Sequence, residues 1–196
     1  MASAFSHIAV PAVLYARFKC DTVNIRLFLL ASVCSVLPDI DVIGFKFGIP
    51  YGSQWGHRGF THSLVFALCL ASLLIPFHRK LQSKPRTVFW FCFVSCVSHA
   101  FLDAMNNGGL GVDLFWPFSS GRILLPFRPI QVSPIGVGNF FTECGLRVLV
   151  SKFVWVLMPA LIVGIFGAVI RNNIPTSEWE TDQMLIVLVG IPIKTA

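Results

Sequence analysis

The sequence predicts an all-α, polytopic integral membrane protein, a bundle of about four or five membrane helices in one domain. Three observations carry this. Hydrophobic residues make up 55% of the chain against 12% charged, with a mean hydropathy of +0.75, so there is too little polar surface to cover the molecule in water. The apolar residues are gathered into long runs separated by proline, glycine and basic breaks. The length of 196 residues leaves room for those spans at about 20 residues each, and for no sizeable soluble domain.

The runs can be placed in order. The first covers about Phe5 to Phe18; the second runs from Asn24 to Leu37, where Pro38 is expected to end it. Both are short for a span, which suits little tilt or a re-entrant hairpin. The third, Leu64 to Phe77, is expected to take Thr61 as its N-cap and to stop at the Pro76 to Lys80 boundary. The fourth runs from Thr87 to Ala104 and ends at the turn-prone Asn106-Asn107-Gly108-Gly109. Val148 to Ile170 is the fifth and clearest span. The Gly-, Pro- and Phe-rich loop from Asn106 to Phe141 is of a length that is usually functional or disordered. Residues 1–171 read as the membrane-embedded domain, and 172–196 as a polar, then apolar tail whose last run is too short to span. No signal peptide is predicted, because no basic residue precedes the first run.

Polar residues are scarce, and their placement is therefore informative. Four of the five histidines and three of the six aspartates fall where apolar runs meet polar loops: His7, the Pro38-Asp39-Ile40-Asp41 step, the Gly56-His57-Arg58-Gly59-Phe60-Thr61-His62-Ser63 segment, and His99 with Asp103. If the helices alternate, all of these ends lie on one membrane face. The opposite ends carry Arg17, Lys19, Arg26, Arg79, Lys80, Lys84, Arg86 and Arg171, which the positive-inside rule places in the cytoplasm, so the histidine and aspartate face points outward. Lys46, Arg58, Arg122 and Arg128 weaken that bias without reversing it. The net charge of +6 thus reads as topology, and no nucleic-acid partner is expected.

Each motif alone has an ordinary explanation. His99 and Asp103 are four apart, share a helix face and reach one ion, or else make a structural hydrogen bond. Asp39 and Asp41 suit carboxylates on a rigid turn after a proline, and equally a plain helix-terminating loop. His57 and His62 bracket an Arg-Gly step whose glycine allows close approach to a ligand, or they are interfacial loop histidines. Convergence favours metal. Imidazole and carboxylate together suit Zn²⁺, Mn²⁺ or Fe²⁺, and so many ligands exceed one tetrahedral site, so one or two divalent ions are expected. His78 sits among Arg79 and Lys80 as a headgroup-facing residue, and Cys34, Cys69, Cys92 and Cys96 read as packing residues within apolar runs.

Taken in that order, His7, Pro-Asp-Ile-Asp, His-Arg-Gly-Phe-Thr-His-Ser and Ser-His-x-x-x-Asp resemble the YdjM-like family of LexA-regulated, membrane-bound metal-dependent hydrolases, over about residues 1 to 141. A more distant similarity is to zinc-dependent phospholipase C, whose further His-rich segments this chain lacks. The resemblance implies a bacterial inner (plasma) membrane protein with His7, Asp39, Asp41, His57, His62, His99 and Asp103 as metal positions. The chemistry expected is metal-assisted hydrolysis of an ester or phosphoester, with Asp39 or Asp41 as base and Arg58 holding an anionic group or serving as an interfacial anchor. A lipid or lipid-linked phosphate in the bilayer is the expected substrate, because the site lies at headgroup depth. A metal-ion transporter and a non-catalytic protein with a structural metal are the rival classes; the transporter would need polar groups near mid-membrane, which the centres of the third and fifth runs lack.

Overall fold

The computed structural model describes residues 4–18, 23–133 and 142–173, and these are all-helical, with no strand beyond two isolated bridges. Short α1 (Ala4–His7) leads into α2 (Ala9–Phe18). Next, α3 (Ile25–Val36) is capped by Asn24, whose Oδ1 accepts from the backbone of Arg26 at 3.0 Å and Leu27 at 3.2 Å. The expected stop at Pro38 is not there. Pro38 instead enters the first turn of a 3-10 stretch, Leu37–Phe47, where a missing N–H costs little, and that stretch ends at left-handed Gly48 with φ 73°. Asp39 and Asp41 therefore ride on a helical extension rather than a terminating loop, and Ile25–Phe47 is long and apolar enough to cross a membrane.

The expected cap at Thr61 is also corrected. A 3-10 turn, Phe60–His62, precedes α4 (Leu64–Leu74), and the cap is Ser63, whose Oγ accepts from Phe66 N at 3.0 Å. After a 3-10 turn at Ile75–Arg79, α5 (Pro85–Ala104) forms the second candidate span. The fifth run starts earlier than its hydropathy suggested: α6 (Glu143–Lys152), a π turn (Phe153–Leu157) and α7 (Met158–Asn173) are continuous, and Glu143–Val169 is the third candidate span. The tail from residue 174, and residues 134–141 of the long loop, lie outside the described residues.

Packing is centred on α5. It lies against α3 and α4 through Leu27, Ala31, Cys34, Ala67, Ala71, Phe91, Cys92 and Cys96, where small side chains let the backbones approach. Outside this core, α2 packs on α7, whose Leu161, Ile162, Ile165 and Phe166 are exposed, as suits a surface solvated by lipid. The bundle has two distinct ends. At one, Asn24 Nδ2 donates to Leu81 O at 2.8 Å and Arg26 Nη1 to Lys80 O at 3.1 Å, tying α3 to the basic turn before α5. The other holds His7, Asp39, Asp41, His57, His62, His99 and Asp103, while His78 stays in the basic turn.

Candidate metal centre

The centre is built from four pieces of chain: the end of α1, the 3-10 stretch after α3, the 56–62 loop, and the last turns of α5. His99 and Asp103, one turn apart on α5, are buried and point inward. His99 Nδ1–H donates to Ser35 O at 2.7 Å, which fixes its proton there and leaves Nε2 as a bare lone pair. That Nε2 lies 3.1 Å from His62 Nε2, 3.4 Å from Asp39 Oδ1 and 4.0 Å from Asp103 Oδ2. From His62 Nε2, Asp103 Oδ2 is 3.6 Å away and Asp39 Oδ1 is 4.0 Å. An ion held tetrahedrally by bonds of about 2.0–2.2 Å has ligand–ligand edges of roughly 3.3–3.6 Å, and these donors, all within 4.8 Å of one another, need shift by only a few tenths of an ångström to reach that spacing.

The two ring nitrogens 3.1 Å apart must share a cation, either one proton donated by His62 Nε2 to His99 Nε2 or a metal ion held by both. Burial alone would lower the His62 pKa, yet Asp103 and Asp41 outweigh it and raise it to about 9, a measure of how strongly this spot favours positive charge. His7 adds a second sign. It is 1% exposed, both ring nitrogens lack a hydrogen-bond partner, its ring stacks on His99 at 3.8 Å, and Nε2 sits 3.8 Å from Asp103 Oδ1. Orphaned buried imidazole is costly without a ligand.

A second group, Asp39, Asp41 and His57, shares Asp39 with the first, and its donor atoms also lie within 4.8 Å of one another. Asp41 is already heavily engaged. His57 Nδ1–H donates to its Oδ1 at 2.7 Å, while Oδ2 accepts from Arg58 N at 2.9 Å and Thr61 Oγ1 at 2.7 Å and lies 3.3 Å from His62 Nδ1. Asp39 and His57 form the open edge, with side chains 15% and 13% exposed.

The loop that delivers His57 and His62 is folded very tightly. A Cβ on Gly56 would lie 2.1 Å from Pro50 O, and one on Gly59 2.1 Å from Gln54 O, so these glycines admit the chain itself rather than a ligand, contrary to the expectation for Gly59. Between them Arg58 is held at φ 64°, a strain of about 1–3 kcal/mol that persists only where the surroundings impose it. Its guanidinium is buried with Nε 2.8 Å from Asp103 Oδ2, and Nη1 donates to Gly108 O at 3.4 Å. Sequence reasoning brought Arg58 to the site but not to this carboxylate.

Other residues were missed. Arg122 clamps the loop, donating to Tyr51 O (3.1 Å), Ser53 O (2.9 Å), His57 O (3.1 Å) and Gly111 O (3.4 Å). Asn106 Nδ2 donates to Asp103 Oδ1 at 2.9 Å, a partner recognisable by its spacing of three from Asp103. Lys152, on the most apolar span, is 7% exposed and in electrostatic contact with Asp103, Asp39 and His7. As the one charge in the apolar run from Val148 to Ile170, it carries the signal that could have found it.

The model of the YdjM inner membrane protein family matches residues 1–174, which reaches past the 1–141 stretch carrying the motifs to include α6 and α7. The chain belongs to that family. A YdjM-family chain of this kind is an integral inner-membrane protein, and its relatives include the inner membrane protein YbcI of Escherichia coli (strain K12), 36% identical over 164 residues, covering 83% of this chain and 95% of YbcI. No solved structure matches this family member.

Proposed function

We propose that this inner-membrane protein is a metal-dependent hydrolase that cleaves an ester or phosphoester at the membrane surface, with its metal centre facing outward. The observation that supports it most is the convergence of His62 Nε2, His99 Nε2, Asp39 and Asp103 within 4.8 Å at one end of the bundle, beside a His7 whose ring nitrogens have no partner. In this reading His62, His99, Asp39 and Asp103 hold one ion, His7 completes or borders that site, and His57 with Asp39 and Asp41 offers a second. Zn²⁺ suits the donors best, with Mn²⁺ or Fe²⁺ as substitutes. The ion supplies Lewis-acid activation of water and of the scissile oxygen.

The chain's own groups do the rest. Ser35 O, Asp41 and Thr61 orient the imidazoles, Asn106 and Arg58 hold Asp103, and at the open edge the Asp39 oxygen not bound to metal would take a proton from incoming water. The open edge favours catalysis over a structural staple, since structural sites are usually closed. A lipid or lipid-linked phosphate fits a site at headgroup depth.

The test is elemental analysis of detergent-purified protein, followed by a panel of esters and phosphoesters with and without chelator. About one or two equivalents of metal and chelator-sensitive hydrolysis are expected. Metal without turnover on any member of the panel would leave a structural metal protein, and metal-free protein would end the reading.

A further inference from the structure

The buried cation Lys152 has no part in the chemistry described so far. It stands on the inward stripe Gly145, Val148, Lys152 and Val156 of a helix whose other faces, among them Leu146, Leu149, Phe153 and Trp155, are exposed and apolar. The π turn Phe153–Leu157 begins directly after it, a local widening that recurs at functional sites. Burying an ammonium in a membrane helix is expensive, and the stripe carrying it faces the site end of α5: Val156, one turn on, packs with Ala9, Leu102 and Met105, which flank His7 and Asp103, so Asp103 and Asp39 act on Lys152 as its nearest opposing charges.

Charge counting shows what that arrangement does. Asp39, Asp41 and Asp103 bring three negative charges, Arg58 and Lys152 two positive ones, and the histidines bind metal as neutral ligands. One divalent ion turns the residual single negative charge into a net positive one, and a second ion makes the excess larger. Arg58 serves metal retention by holding Asp103, but a centre meant only to retain metal gains nothing from a second buried cation, Lys152, which repels the ion. A centre that receives a multiply charged anion gains from both, because they remain positive after the carboxylates have been taken up by metal.

We propose that Lys152 and Arg58 together form an anion subsite beside the metal centre, which takes the non-bridging oxygens of a phosphoryl group and so selects phosphoesters over neutral carboxylic esters. Arg58 presents a planar fork and Lys152 a point charge from a different element, a pairing suited to a tetrahedral oxyanion. The proposal rests on the metal-centre reading and deepens it.

Inorganic phosphate is the probe, titrated by calorimetry into metal-loaded full-length protein in detergent, with metal content measured on the same samples. Lys152→Met is expected to retain metal and to weaken phosphate binding by roughly 10- to 100-fold, and Lys152→Arg to restore it to within a few-fold of wild type. Should Lys152→Met fail to fold, Lys152→Gln carries the same expectation. Equal phosphate affinity in metal-replete wild type and variant would overturn the subsite, as would loss of metal in the variant, which would mark Lys152 as a structural counter-charge. Wild-type protein that holds no metal would instead overturn the metal reading and this proposal with it. Phosphate binding without hydrolysis of any ester would sink only the hydrolase.

Discussion

The two ends of this bundle carry comparable numbers of charges and use them in opposite ways. At the basic end Arg26, Arg79, Lys80, Lys84 and Arg86 are exposed, and Asn24 and Arg26 tie the backbone there through ordinary capping and carbonyl contacts. At the other end Asp103, Arg58, Lys152 and three histidines are buried, packed against one another in a single cluster of ionisable groups. Solvated charges cost nothing to keep and act through their sum, as a topology signal. Buried charges are tolerated only in a fixed arrangement, so each is individually accountable. The lesson is that burial, and not charge count, separates address from chemistry in a membrane protein.

That contrast is broken most severely by removing a buried donor. His99→Ala deletes one of the four converging atoms and the bond to Ser35 O, and we expect metal content to fall to background, while Arg79→Ala leaves it unchanged. Inductively coupled plasma mass spectrometry on both purified proteins decides it; retention of metal by His99→Ala would erase the distinction between the ends. A smaller effect is expected at Asp41. Its oxygens are occupied by His57, Arg58 N and Thr61, so it orients ligands more than it supplies one, and Asp41→Asn should weaken metal affinity by about 10- to 100-fold without abolishing it. A chelator-competition titration reads the affinity, and complete loss would make Asp41 a direct ligand.

Much of the site end was legible because its polar residues stand out against apolar sequence. His7, His57, His62, His99, Asp39, Asp41 and Asp103 were each marked by position at a run's edge, and the structure brings all of them into one contact network. What escaped had a physical reason. Lys152 is one charge in a long apolar span, and its direction is set by which stripe of the helix faces α1, which no local pattern shows. Arg122 works through backbone carbonyls, and carbonyls leave no trace in sequence. Pro38 was read as a stop because its lost N–H breaks a helix interior, but in the first turn of a 3-10 stretch that N–H has no partner to lose. Thr61 looked like a cap because threonine caps well; its hydroxyl was already committed to Asp41, and the cap passed to Ser63.

The basic end should respond only as an ordinary capped helix does. Asn24→Ala removes the acceptor for Arg26 N and Leu27 N and the tie to Leu81 O, and a loss of about 1 kcal/mol is expected, seen as a lower Tm in detergent with metal content unchanged. Loss of metal on this substitution would mean that the two ends are energetically coupled across the bundle.

Orientation carries the smallest energetic effect and sharpens the comparison furthest. If exposed cations act as an address, the basic end lies in the cytoplasm and the metal centre outside. Gly108 is a poor reporter for this, because a Cβ there would sit 2.9 Å from Val132 Cγ1. Phe118 at the site end is 86% exposed and Lys80 at the basic end is exposed, so Phe118→Cys and Lys80→Cys, in a background freed of native cysteines, should each shift stability by no more than about 0.5 kcal/mol. In intact cells a membrane-impermeant maleimide should then label Phe118→Cys and spare Lys80→Cys. The reverse pattern would place the site in the cytoplasm and would show that the buried cations of the site end, Arg58 and Lys152 among them, had outweighed the exposed ones in setting topology. Labelling of both would mean that the protein inserts either way, and the basic end would lose its role as an address.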